Sequence, residues 1–223
     1  MKRTLAIICV ILTAVCLLSA CGSSTTKTRD PEEITVNDLL QFSAVKSGET
    51  LARLETDMGD IVVRFFPEKA PKAVENFVTL ARDGAYDGIL FHRIMDNFMI
   101  QSGNTGTGKS IWGGTFEDEF SNQLYNFRGA LSMANAGPRT NSTQFFIVQS
   151  SDADGANGYP PVVLDKYREL GGTPWLDNLH TVFGHVVEGM DVVDAIAATP
   201  AIDRNGTPSK EVWLKHVEVY EAP

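Results

Sequence analysis

The chain has 223 residues, 43% of them hydrophobic and 21% charged, which supports one sizeable core and is too short for three domains. Its 28 acidic residues outnumber 19 basic ones for a net charge of −9, and Lys and Arg form no cluster, so nucleic acid is not an expected partner. The three cysteines, Cys9, Cys16 and Cys21, all precede Gly22, which leaves the body of the chain with neither a disulfide nor a cysteine-based zinc site.

In chain order, Lys2 and Arg3 precede an apolar run from Leu5 to Leu18, shorter than the ~20 residues that span a bilayer. Small residues follow, the pattern of a removed export signal over residues 1–20. Leu18-Ser19-Ala20-Cys21-Gly22 resembles the lipobox of bacterial lipoproteins, in which Cys21 becomes the lipidated first residue. Residues 21–50 then read as lipidated cysteine plus polar tether, with one short helix around 36–42. Two or more acyl chains on one residue would anchor firmly. The expected location is the cell envelope, lipid-anchored to the outer face of the bacterial cytoplasmic membrane or to an outer-membrane leaflet, with no spanning segment.

The folded domain is expected over residues 51–222. "LARLETDMGDIVVRFFP" alternates as two strands joined at residues 57–60. A helix is predicted over 70–83, because Pro71 suits a first turn, Val74, Phe77, Val78 and Ala81 share a face, and Gly84 supplies the stop. Short glycine-punctuated strands follow at 89–95, 98–101, 130–134, 145–148 and 182–187, then a helix at 190–197 and a last strand at 212–220. The pattern predicts a mainly β fold: a closed antiparallel barrel of about eight strands capped by two α-helices.

Several motifs dissolve on inspection. Gly103 to Ser110 fits the phosphate-loop spacing in full, yet "IWGGTFEDEF" follows it and offers no helix N-terminus to hold a phosphate. The acidic run Glu117-Asp118-Glu119 reads as a solvated turn, since a hydrolase pair must face each other across a gap. Asp152 and Asp154 lack calcium-loop spacing. No metal or cofactor is expected. Two stretches resist so plain a reading. In "FHRIMDNFMIQSGN" Arg93 and Gln101 interrupt apolar strands, and in "GALSMANAGPRTNSTQFFIV" Gln144 and Phe146 share one strand face, a mixture suited to an amphipathic groove.

Those two stretches and "WLDNLHTVFGHVVEGMDVV", in this order, resemble the cyclophilin family of peptidyl-prolyl cis-trans isomerases from about Leu51 to Tyr220. The resemblance implies an enzyme that rotates Xaa-Pro bonds and, on an exported chain, assists folding of exported proteins; the alternative is a non-catalytic module that binds proline peptides. It implies Arg93 as the catalytic donor and a proline-ring pocket of Phe98, Met99, Phe146 and Leu176 with His180 at its rim. Gln101 and the backbone of Asn135 would hold the substrate chain, Ala134 and Gln144 would line the groove, and Trp175 matches the tryptophan that contacts cyclosporin in sensitive members. Partners are then proline-containing polypeptides, with cyclosporin a candidate ligand, and a monomer is expected. Asp96, Asn97, Ser102 and Asn104 depart from the common pattern, which puts preference for the residue before proline in question. The segment 150–174 is long compared with compact members. Its stretch 162–170 suits a short helix, and the segment is either a groove wall or lid, or a neutral surface insertion.

Overall fold

The computed structural model describes residues 34–223; the segment expected to be an export signal and Cys21 lie outside the described residues. Alternation sets the first hairpin. β1 (Thr50–Thr56) and β2 (Gly59–Phe65) pair antiparallel from Leu51↔Arg64 to Thr56↔Gly59, so Ala52, Leu54, Ile61, Val63 and Phe65 enter one core. The turn is tighter than the predicted join: Thr56 Oγ1 accepts from Met58 N and donates to Gly59 O, which folds the chain back over Asp57 and Met58 alone.

α1 (Pro71–Arg82) starts on a proline and buries Ala73, Val74, Phe77 and Ala81. Ala70, at its N-cap, has no side chain to cap with. Glu119 supplies the cap from a distance, its carboxylate accepting from the backbone N–H of Lys72 and Ala73 at 3.1 and 3.0 Å. There the unpaired helix donors and the dipole favour an anion. Asp118 accepts from Asn141 Nδ2 and from Arg139 N, both at 2.8 Å, and Glu117 pairs with Lys72. The acidic run is therefore a structural clamp rather than the solvated turn expected.

The predicted strand 89–95 breaks in two, β3 (Ile89–Leu90) and β4 (Arg93–Met95), because it changes partners midway: β3 pairs with β9 and β4 with β5. The remaining strands are β5 (Met99–Ser102), β6 (Ala130–Met133), β7 (Phe145–Val148), β8 (Val182–Glu188) and β9 (Trp213–Glu221). Their order in the sheet is β3-β9-β1-β2-β8-β6-β7-β5-β4. The ladder is thus a half-barrel, open between β3 and β4, where a closed barrel of about eight strands was predicted; its two edges are one stretch of chain, with only Phe91 and His92 between them. The partner change also raises the strand count among the described residues to nine.

Three α-helices are present among the described residues, where two were predicted. α3 (Met190–Ala197) packs Val193 and Ile196 into the same core as α1, while α2 (Pro161–Leu170) lies where a short helix was read in the 150–174 segment. α2 belongs to a separate cluster, with Val163 and Tyr167 against Tyr125, Phe127 and Leu39. Leu39 comes from the stretch read as tether and approach. Two 3-10 turns there, Val36–Asp38 and Leu40–Phe42, are held down by Gln41, which is 4% exposed. Its Oε1 accepts from Tyr125 N and its Nε2 donates to Tyr125 O, both at 2.9 Å, as a neighbouring strand would. Nε2 also lies 3.1 Å from His185 Nδ1, which with this amide orientation is the acceptor.

The loop that fits the phosphate-loop spacing has a different explanation. Gly103 leaves β5 at φ +85°, and a Cβ there would stand 2.5 Å from the Thr143 carbonyl oxygen, so glycine is demanded by backbone contact with the approach to β7. Residues 104–115 contain no helix.

Candidate active site

Strand parity builds the site on the outer face of the sheet. Ile100, Phe145, Ile147, Leu131 and Met133 point into the core, so their neighbours point out. Register then aligns those neighbours in one row across four strands: Arg93 on β4 faces Gln101 on β5, Gln101 faces Phe146 on β7, and Phe146 faces Ser132 on β6. Beside the row runs a second apolar cluster, separate from the core. It contains Met99, Phe146, Val148 and Val182, with Phe98, Ala134 and Leu176 packed against it at the surface.

Arg93 is half-buried and fixed on several sides. Its Nε donates to Asn205 O at 2.9 Å, one terminal nitrogen lies 3.5 Å from Gln101 Oε1 and the other 3.2 Å from Met95 Sδ, and its guanidinium stands 5.7 Å from the Phe98 ring centre. Gln101 Nε2 donates in turn to Gln144 Oε1 at 2.9 Å. The result is a rigid cation at one end of an apolar floor, with two amides beside it.

The opposite wall is the loop 174–180. His180 meets the Phe146 ring edge-on at 5.3 Å, and its Nδ1 donates to Met133 O at 2.9 Å, which fixes the ring's orientation. Trp175 is 45% exposed and lies 6.1 Å from Phe98 between ring centres. Asn135 ties this wall to the β6 exit through Nδ2 to Leu179 O at 3.0 Å. Among the described residues no hydrogen bond engages the backbone N–H or C=O of Asn135. Ala134 is held by its N–H to Gln144 O at 3.0 Å. All ten residues assigned by resemblance to substrate binding, together with Arg93, thus fall on one face.

Asp177 anchors that wall from behind. Its Oδ1 accepts from Asn126 N and Nδ2 at 2.7 and 2.9 Å, and its Oδ2 from Tyr159 and Tyr167 hydroxyls at 2.8 and 2.6 Å. Burial pushes the carboxyl above its ordinary range, and the four hydrogen bonds oppose it. Both tyrosines belong to the 150–174 segment, which therefore braces Trp175, Leu176 and His180. The same segment reaches the other wall: Asn97, at φ +53°, accepts at Oδ1 from Ser151 N and Oγ, and donates from Nδ2 to Asp152 at 2.5 Å. The departure at Asn97 and the long segment are one feature.

Two contributors were missed in the sequence. The loop at 203–207 positions Arg93: Asp203 accepts from Asn205 N, Thr207 N and Thr207 Oγ1, and Gly206 O accepts from Ile94 N. "DRNGT" is a turn signal, but nothing in it says which strand the turn will support. His92 Nε2 lies 3.4 Å from Gln101 Nε2. Burial first, and Arg93 more weakly, hold its imidazole below the usual range, favouring a neutral ring that can accept from Gln101. No group of three or more potential metal ligands occurs among the described residues.

Fold and site together define an antiparallel half-barrel that presents an outer groove with an apolar floor and a fixed arginine. Residues 51–219 match the family described as "Cyclophilin type peptidyl-prolyl cis-trans isomerase/CLD". A protein of Staphylococcus aureus (strain USA300), provisionally named as a peptidyl-prolyl cis-trans isomerase, is 47% identical over 190 residues, covering 79% of this chain and 95% of its own. A protein of Staphylococcus epidermidis under the same provisional name is 45% identical over the same shares. Among solved structures, a cyclophilin-type isomerase of Cryptosporidium parvum superposes with a TM-score of 0.65 at 30% identity, covering 78% of this chain and 99% of that one. A second crystal structure of it, in the presence of the dipeptide Ala-Pro, gives a TM-score of 0.63. The chain belongs to the cyclophilin-type peptidyl-prolyl cis-trans isomerase family.

Proposed function

We propose that the groove binds proline-containing segments of exported polypeptides and speeds their folding by rotating Xaa-Pro bonds, with Arg93 as the donor that acts on the bond. Rotation faces a barrier of ~18–20 kcal/mol because resonance stiffens the C–N bond. Uncatalysed, it takes tens to hundreds of seconds. As the bond twists, the prolyl nitrogen becomes pyramidal and gains a lone pair, so a donor fixed beside it binds the twisted state better than the planar one. A guanidinium is always protonated and rigidly forked. The observation that carries this reading is the placement of Arg93, fixed by Asn205 O and Gln101 at the edge of the apolar cluster. Phe98, Met99, Phe146 and Leu176 would seat the ring, His180 would close its rim, and Gln101 with the Asn135 backbone would hold the chain while the other side turns.

The test is exchange spectroscopy by NMR on an added Xaa-Pro peptide. A catalyst broadens and exchanges the cis and trans resonances at substoichiometric protein; binding without exchange would replace this reading with the proline-peptide-binding module. Cyclosporin should compete for the groove, with Trp175 as its contact.

For location we propose a lipid anchor on Cys21 at the outer face of the membrane, supported by the basic start, the short apolar run and the sequence around the cysteine. No helix among the described residues is long and apolar enough to cross a membrane. Replacing Cys21→Ser should abolish incorporation of labelled fatty acid and release the protein from membranes; a variant that stayed membrane-bound would contradict the anchor.

A further inference from the structure

Next to the proline groove, and sharing Leu124, His180 and Val182 with it, lies a cleft of about 340 Å³ that no assigned role uses. Its far wall is Gly158 and Tyr159, so the 150–174 segment builds it. Phe120, Tyr125 and Tyr159 line it beside the His180 ring, and Phe120 is 45% exposed. Asp177 is the only Asp, Glu, Lys or Arg in the lining; Asn126 and the Tyr167 hydroxyl donate to it, and the Tyr159 hydroxyl proton lies between it and Pro174 O. Asn178 enters the wall at φ +58°, a conformation asparagine tolerates better than most residues and one that recurs at ligand sites.

We infer that this cleft is a second subsite for the same polypeptide, taking a lysine or arginine side chain a few residues from the proline. The inference rests on the isomerase reading, since the occupant is the chain whose proline fills the groove. Continuity through His180 and Leu124 makes one extended peptide reach both. Aromatic faces and a nearby carboxylate attract a cation, and the lining holds no Lys or Arg to repel it. Because Asp177 is already engaged by Asn126 and Tyr167, it acts through its field, while the ring faces and the side-chain amide of Asn178 are left to make the contact.

The probe is a set of peptides with one Ala-Pro core and a single lysine stepped through three positions on each side of it, with norleucine as the uncharged control. At one position lysine should raise kcat/KM over alanine by roughly two- to fivefold, the scale of one exposed cation–π contact, through KM and not with norleucine. Asn122→Lys, at an exposed position in the lining, should erase that advantage and leave the all-alanine peptide unchanged. Phe120→Ala should weaken it. A flat lysine scan on a protein that isomerises the alanine peptide normally, or an advantage that survives Asn122→Lys, overturns the subsite alone. No acceleration of any peptide overturns the isomerase reading, and the subsite with it.

Discussion

Tyr167 is a fully buried side chain whose hydroxyl donates at 2.6 Å to Asp177 behind the groove wall. Tyr167→Phe keeps the ring packing against Phe127, at 4.5 Å between centres, and removes only the donor. Leaving a buried carboxylate one hydrogen bond short costs about 1–3 kcal/mol, which a urea denaturation curve would register as a lower midpoint at unchanged slope. Because Asp177 precedes no catalytic step, KM for a proline peptide should rise more than kcat falls; a variant with wild-type stability and KM would show that the tyrosine bond braces nothing. The groove residues were legible through the family resemblance, and parity, a local property, supported only part of the set: Met99 and Gln101, or Gln144 and Phe146, share a face in any extended strand. The brace was not legible. Tyr159, Tyr167, Asn126 and Asp177 meet only after the chain has folded, and four ordinary polar residues at wide separations carry no pattern.

At the scale of elements, the segment 34–43 and α2 support each other through Leu39, Val163 and Tyr167. Gln41→Ala would orphan the N–H and C=O of Tyr125 and expose His185 Nδ1 to no partner, a loss of about 1–3 kcal/mol by the same measurement. His185 adds a pH dependence. Burial first, then the Arg64 guanidinium opposite it on β2, depress its pKa to about 4, while Gln41, Phe42 and Gly129 surround the ring. The unfolded chain takes up a proton below about 6.5 where the folded one does not, so stability is fully present above that value and is lost as the pH falls from about 6.5 towards 4. Melting temperature measured across that window should decline, and His185→Gln should flatten the decline. An unchanged slope in the variant would place the acid sensitivity elsewhere. α1 and α3 could be read from their 3.6-residue periodicity, whereas the docking of 34–43 could not, because a buried glutamine that mimics a strand looks polar in sequence.

For the whole molecule, the sheet topology decides where chemistry is available. One continuous core fills the half-barrel, so the proline groove lies on the outer face of β4, β5, β7 and β6, where apolar and polar side chains stand in register. Sequence alternation announced antiparallel strands and a barrel, yet not the partner change at Phe91 and His92 that splits one strand into two and leaves the ladder open there. That change depends on β9, which lies more than a hundred residues further along the chain. The segment 34–43 also makes the domain larger than its family match: a chain beginning at residue 50 should unfold at a lower urea concentration than one beginning at residue 34, with both retaining turnover. Equal midpoints would mean that the packed segment contributes nothing to stability.

The proposed role of Arg93 is to act on the bond rather than on the fold. Arg93 lies on the outer face of the half-barrel, outside the apolar clusters, so Arg93→Ala should leave the melting curve and proline-peptide binding nearly unchanged while turnover of an Xaa-Pro peptide falls by about 10²–10³, the scale of one lost transition-state donor. Turnover of the variant at the wild-type rate would contradict it.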